Sequence, residues 1–231
     1  MAQTISEARL TKDNEFKALL LRSAAKLAKE QGKVRQAVQL IVEVNQVWPH
    51  YGYSVDEFLD GIVQAALDKQ DIETARYAVA EIVDLTRRSD SLLRLSRYFV
   101  TQKESGQARD FLQEAAKHLA NAPSGTKKAL AYANLALEWS NLDDFQFRET
   151  VRLLIKSANN IEKPEKDPKD ETNRSLTPLL KVEIKVFTKF AEKDRTGALN
   201  TADSFTYAEM RAAAVLGVYQ YQPVQKTAGK E

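Results

Sequence analysis

Few residues of this 231-residue chain have the types and spacings that catalysis requires. It contains two histidines, His50 and His118, and no cysteine. Neither histidine belongs to a metal-binding spacing such as HExxH. The strained GxSxG turn that presents a nucleophilic serine is absent, and so are the glycine-rich loops that hold phosphates. The sequence therefore predicts no catalytic residue, no metal site and no cofactor, and we expect the protein not to be an enzyme.

A second group of candidate residues is a row of lysines near the C-terminus. They recur at every fourth position, which places them along one line of a helix: Lys181, Lys185, Lys189 and Lys193. Such a row could contact phosphate or nucleic acid, or it could be a solvated face that Glu183 and Glu192 partly neutralise. We favour the solvated face because aromatic residues are not interleaved with these lysines on the same face of the helix, as a stacking platform would need.

A third candidate is the aromatic segment from Trp48 to Tyr53, which contains Pro49 and Tyr51. Aromatic side chains of this kind anchor protein interfaces. They also fill gaps between packed helices, and we favour that interpretation because Trp48 and Tyr51 would bury large areas there.

Charge and composition narrow the class of protein. Lysine and arginine number 34 against 32 acidic residues, so the net charge of +2 provides no general attraction for nucleic acid. The absence of cysteine excludes disulfides, thiolate catalysis and iron–sulfur clusters. The first eleven residues lack the apolar run of a signal peptide, and no apolar run of about 18 residues could span a bilayer. We expect a cytoplasmic protein, with a trimmed export signal as the open alternative.

The elements that would position these residues are helices. Helix-forming residues dominate, and only 8 glycines and 6 prolines are present. From Asn14 to Gln31 apolar residues recur every three or four positions, and a second segment with the same spacing runs from Ala37 to Val47. Gly32 between them is suited to the left-handed conformation that ends a helix. Because the connection is so short, the two helices are predicted to pack antiparallel.

The same pattern recurs three more times, and Ser54 is placed to cap the next helix. The predicted pairs are Phe58–Leu67 with Ile72–Leu85, Leu92–Val100 with Gln107–Leu119, and Lys127–Trp139 with Phe147–Ala158. Small residues early in the second helices, Ala37, Ala75 and Ala108, follow one another at intervals of 38 and 33 residues. Intervals of this size are typical of helical repeats.

Roughly residues 16 to 160 resemble the tetratricopeptide repeat, a helical pair of about 34 residues. The first pair carries the resemblance through Leu21, Ala24, Ala25, Ala28, Gly32, Ala37, Ile41, Val44 and Pro49. The resemblance implies an all-α fold in which antiparallel helix pairs stack as a right-handed α–α superhelix. HEAT-type and other helical solenoids remain alternatives. It also implies a non-catalytic module that binds a protein or peptide partner, because tetratricopeptide proteins serve as interaction scaffolds.

In tetratricopeptide proteins the first helix of each pair lines the concave surface. Carried over to this chain, those positions make the partner-binding candidates Arg22, Lys26, Lys29, Asp60, Gln64 and Arg97, with Asp68 beside them. The basic row of the first pair could hold a carboxylate or an acidic peptide by charge-assisted hydrogen bonds. Isolated basic rows are also common on solvated helix faces, and we favour that alternative for Arg22, Lys26 and Lys29.

The sequence divides into a polar lead (1–12), four helical pairs (13–160), a flexible charged linker (161–175), a fifth pair with a closing helix (176–221) and a disordered tail (222–231). The closing helix, Tyr207 to Tyr221, is apolar on nearly every side and requires another surface: the preceding helices, a second copy of the chain or a missing neighbour. The leading hypothesis is a protein-interaction module. The alternatives are a nucleic-acid-associated helical repeat and an accessory domain of a larger enzymatic or secreted protein.

Overall fold

The computed structural model describes residues 2–49, 52–161 and 172–221, and these ranges contain helices and no strand. The helices are α1 (Ala2–Leu10), α2 (Asn14–Glu30), α3 (Val34–Val47), α4 (Gly52–Leu67), α5 (Ile72–Glu81), α6 (Leu85–Thr101), α7 (Ser105–Asn121), α8 (Thr126–Trp139), α9 (Asp144–Asn159), α10 (Thr172–Lys193), α11 (Arg195–Ala202) and α12 (Ala208–Gln220). The all-α class predicted from the sequence is confirmed. The predicted tail and most of the predicted charged linker lie outside the described residues, and the superhelical stacking stays a prediction.

Three of the turns that join paired helices have the same geometry. Each contains one residue of positive φ, namely Gly32 at 73°, Gln70 at 59° and Lys103 at 64°. In each turn the next backbone N–H returns to a carbonyl of the preceding helix, as from Lys33 to Ala28 at 2.8 Å. This is how a helix terminates in a left-handed residue. The three turns follow one another at the intervals of 38 and 33 residues found in the sequence.

The chain forms two compact units, Met1–Ala122 and Pro123–Glu231. In the first unit α2 packs on α3, α4 on α5 and α6 on α7, and α1 adds to α2. Fully buried alanines such as Ala24, Ala37 and Ala108 allow these helices to approach closely. In the second unit α8 packs on α9, while α10 packs mainly on α12 and α8, with the short α11 between α10 and α12. Within the described ranges no helix is both long enough and apolar enough to cross a membrane.

The boundary between α5 and α6 differs from the prediction. The predicted helix from Ile72 to Leu85 was wrong at its end, because α5 stops at Glu81 and α6 begins at Leu85, seven residues before the predicted Leu92. The buried carboxylate of Asp56 accepts hydrogen bonds from the Val83 N–H at 3.0 Å and the Asp84 N–H at 2.8 Å. These bonds hold residues 82–84 in a non-helical connection.

Two further side chains fix the same connection. Arg88 donates to the Ile82 carbonyl at 2.7 Å and to the Ala80 carbonyl at 2.9 Å, which satisfies the end of α5. Asp84 caps α6 by accepting from the Thr86 and Arg87 N–H groups.

Two smaller differences concern helix starts. Because α4 begins at Gly52, Ser54 lies inside the helix and is not its N-cap. Residues 2–10, which the sequence presents only as a polar lead, form α1, with Ala8 buried.

Candidate binding cleft

A cleft of about 360 Å³ lies between α4 and α6 in the first unit. The α4–α6 cleft is lined by Gln64, Leu67 and Asp68 from α4 and by Arg94, Arg97, Tyr98 and Thr101 from α6. Both helices are the first members of their predicted pairs, and the resemblance places its candidate partner-binding residues on first helices. The lining combines charges of both signs with the apolar surface of Leu67 and Tyr98.

One end of the α4–α6 cleft is held by an ion pair between the two helices. The Arg94 Nη2 atom lies 3.0 Å from Oδ2 of Asp60, and Arg94 Nη1 donates to the Asp60 carbonyl at 3.3 Å. Ser91 Oγ donates to the other carboxylate oxygen of Asp60 at 2.7 Å. The Asp60 side chain is only 18% exposed, so its charge is neutralised and hydrogen-bonded as it leaves water. This pair fixes the spacing of the two cleft walls.

A second carboxyl group adjoins the pair. Burial, together with the nearby charge of Asp60, raises the pKa of Asp90 to about 6, against the opposing influence of Arg94 and Arg97. The Oδ1 atom of Asp90 is buried without a hydrogen-bond partner. The charge beside the cleft therefore changes around pH 6.

The other end of the cleft is more open. Gln64 donates to Asp68 Oδ1 at 2.8 Å along α4, and both side chains are exposed. Tyr98 makes an edge contact with the buried ring of Phe99, with centroids 5.4 Å apart, which fixes one apolar wall. This arrangement can take an apolar side chain together with polar groups that pair with arginine or amide side chains.

The predicted partner-binding residues separate into two groups. Asp60, Gln64 and Arg97 come together at the α4–α6 cleft, as wall or supporting residues. Arg22 and Lys26 are exposed on α2 and do not line this cleft. The predicted basic row therefore does not continue into the cleft.

Lys29, the third residue of the predicted basic row, contacts an aromatic ring on α4. The Lys29 Nζ atom lies 5.6 Å from the ring centroid of Phe58 on α4, in a cation–π position.

Sequence reasoning missed Arg94 and Asp90. With α6 predicted to begin at Leu92, Asp90 lay outside any helix and its spacing of four from Arg94 had no meaning. A helix starting at Leu85 would have placed Asp90, Arg94 and Arg97 along one side, three and four residues apart.

Only part of the lysine row on α10 is free of ion pairs with carboxylates of the described residues. Lys181 and Lys185 are exposed, whereas Lys189 lies 2.8 Å from Glu192 and Lys193 lies 3.2 Å from Asp144. The predicted neutralisation of the lysine row by Glu192 is therefore observed. The same prediction for Glu183 was wrong, because that side chain is fully buried on the apolar face of the helix.

Of the remaining candidates, His118 lies on α7 with its Nε2 atom 3.7 Å from Oε1 of Glu114, one turn away on the same helix. His50 and Tyr51 lie outside the described residues, so the aromatic segment is represented by a half-buried Trp48. Among the residues that the structure describes, no cluster of histidine and acidic side chains could hold a metal ion.

The structure is that of an all-α protein with a cleft of mixed polar and apolar lining between α4 and α6. No protein-family model and no curated protein matches this sequence.

Proposed function

We propose that this protein is a non-catalytic helical-repeat module, similar to tetratricopeptide proteins, that binds a protein or peptide segment in the α4–α6 cleft. The observation that carries the proposal is the cleft itself, whose charged and apolar residues come from adjacent first helices of two pairs. Helical pairs connected by equivalent turns give such a surface a rigid frame. Fold analogy supports the class of function, and the lining of the α4–α6 cleft supports its location.

The cleft favours a segment with an acidic side chain next to an apolar one. A guanidinium has five N–H donors, and the two bonds from Arg94 to Asp60 use two of them. The remaining N–H donors of Arg94 can donate to carboxylate or backbone carbonyl oxygens of a bound segment. Leu67 and Tyr98 provide apolar surface for the neighbouring side chain. Peptide recognition commonly combines such elements.

Selection from a phage-displayed library of random dodecapeptides tests the proposal. Peptides enriched on the wild-type chain are expected to contain Asp or Glu beside an apolar residue. Their affinity should fall about tenfold or more, or about 1.4 kcal/mol, when Arg97→Glu reverses a charge of the lining or Thr101→Trp fills the cleft. Arg35→Glu, the same reversal at an exposed arginine of α3, is the matched control. No enrichment, or equal binding to Arg97→Glu and the control, would contradict the proposal.

The nucleic-acid alternative receives less support. Only Lys181 and Lys185 of the lysine row lack a carboxylate within ion-pair distance among the described residues. Two lysines release few counterions on binding a polyanion, so affinity for nucleic acid would be low at physiological salt. Self-association through the closing helix, the other partner expected from the sequence, needs a surface different from the cleft.

A further inference from the structure

The closing helix α12 buries one face and exposes the other. The buried face packs within the second unit through Met210, Ala213, Ala214, Gly217 and Val218. The opposite side carries an outer stripe made of Ala208, Ala212, Val215, Leu216 and Tyr219. Leu216 is 48% exposed and Tyr219 is 62% exposed. An apolar stripe of this kind along a whole helix is a candidate contact surface.

The direction of the outer stripe is fixed by a tight helix crossing. Gly217 lies so close to α10 that a Cβ at this position would be 2.3 Å from the Ile184 carbonyl oxygen. The Thr188 hydroxyl also donates to the Gly217 carbonyl at 3.0 Å. With its inner face locked against α10, α12 cannot rotate to bury Leu216 and Tyr219.

Side-chain size changes along the outer stripe. Its N-terminal half carries the small residues Ala208 and Ala212, and its C-terminal half carries Leu216 and Tyr219. Two such helices side by side in parallel would oppose large residues to large ones and leave a gap at the alanines. In the antiparallel orientation Ala212 of each copy faces Leu216 of the other, so small and large residues interdigitate.

The two ends of the outer stripe also differ in charge, as they do in side-chain size. Glu209 is exposed at the N-terminal end of the stripe. Arg195 is exposed beside the C-terminal end, where its guanidinium lies 5.5 Å from the ring centroid of Tyr219. Among the described residues neither side chain forms an ion pair. Antiparallel association brings Glu209 of one copy to the Arg195 end of the other, twice in each pair.

We propose that the outer stripe of α12 binds a second copy of this chain, as an antiparallel helix pair about a two-fold axis. Two-fold dimers use the same patch on both subunits, and the patch must therefore complement itself when reversed. The gradients of size and charge along α12 meet this requirement. The proposal is independent of the α4–α6 cleft.

A single helix pair is a small interface, so association is weak. The full chain is expected to be monomeric at about 10 µM and to approach twice the monomer mass towards about 1 mM, because interfaces at the low end of the size range are transient. Light scattering or sedimentation equilibrium across this range measures the change. Leu216→Glu should abolish it. Leu153→Glu, which makes the same change at a 40% exposed leucine of α9, should leave it intact.

Charge reversal tests the orientation. Glu209→Arg and Arg195→Glu should each weaken the dimer severalfold, and the double variant should restore it, because the reversed pair is again complementary. Circular dichroism establishes that each variant is folded. A chain that stays monomeric up to about 1 mM overturns the proposal. Equal loss of association in Leu216→Glu and Leu153→Glu, or no rescue in the double variant, also overturns it.

Discussion

Asp60 of α4 and Arg94 of α6 form an ion pair of 3.0 Å that joins the two walls of the cleft. The side chains are 18% and 34% exposed, and Ser91 supplies a further hydrogen bond to Asp60. Exposed ion pairs contribute little to stability, whereas removing one partner of a largely buried pair leaves the other charge without compensation. The pair is therefore expected to matter for the folded state as well as for the cleft.

Replacing Asp60 by alanine should lower the free energy of unfolding by about 1–3 kcal/mol, because Arg94 and Ser91 lose their common acceptor. Urea denaturation followed by circular dichroism measures the change. Asp68→Ala is the control on the same helix, since its bond to Gln64 is exposed, and it should stay within about 0.5 kcal/mol of wild type. Equal effects of the two substitutions would show that the pair is no more than a surface contact.

Replacing Asp56 at the α5–α6 connection should lower the free energy of unfolding more than replacing Asp60. It is 4% exposed and accepts from two backbone N–H groups, and Asp56→Ala should destabilise the protein by about 3 kcal/mol because both donors lose a charged acceptor. The control is Asp13→Ala, which removes an exposed helix cap on α2 and should cost about 1 kcal/mol. Urea midpoints of both variants, compared with wild type, provide the measurement. A loss at position 56 no larger than at position 13 would contradict the assigned role.

The sequence predicts the local elements of this chain well and its distant contacts poorly. Apolar periodicity and Gly32 define the first pair because the signals lie within the helices themselves. The end of α5 was missed because Asp56 acts from 27 residues away. No local rule indicates that such a carboxylate will bind residues 83 and 84. The weakly apolar α1 was missed for a related reason, since its contact with α2 supports it.

Three residues that the sequence singles out for partner binding lie at the cleft, and their role in binding stays a prediction. Asp60, Gln64 and Arg97 were found through the resemblance, which implies that first-helix positions line a concave surface. The pairing of Asp60 with Arg94 depends on which rows of α4 and α6 face each other, and that geometry is tertiary. The burial of Glu183 on α10 could have been predicted from the sequence, because this residue shares a helix face with Leu179, Phe187 and Phe190.

Glu183 makes stability depend on pH. Burial raises the pKa of this side chain from 4.5 to about 9, and neither oxygen has a hydrogen-bond partner. Above pH 4.5 the unfolded chain releases this proton while the folded protein keeps it, so stability falls as pH rises from about 4.5 to about 9. The slope is at most about 1.4 kcal/mol per pH unit.

Glu183→Gln tests this dependence. The neutral amide should raise stability at pH 8.5 relative to wild type, have little effect near pH 4.5, and flatten the decline between them. Asp90 contributes a decline of the same sign between about pH 4 and its pKa of about 6 in both proteins, so its contribution cancels when variant and wild type are compared at each pH from about 4.5 to about 8.5. Urea midpoints at each pH provide the measurement. A wild-type stability that is constant across this range would contradict a buried neutral Glu183.

Two glycines in helices should respond in opposite ways to alanine. Alanine is the better helix former by up to about 1 kcal/mol, so Gly106→Ala, where a Cβ meets nothing within 4 Å, should be neutral or slightly stabilising. At Gly217 the same Cβ would meet the Ile184 carbonyl oxygen at 2.3 Å and the Phe187 Cβ at 3.0 Å. Separating α10 from α12 to make room should cost about 1–3 kcal/mol, which exceeds the gain in helix propensity. Thermal and urea denaturation of both variants measure the difference. If Gly217→Ala is as stable as Gly106→Ala, the crossing is loose enough for α12 to turn. The fixed direction of its outer stripe would then lose its basis.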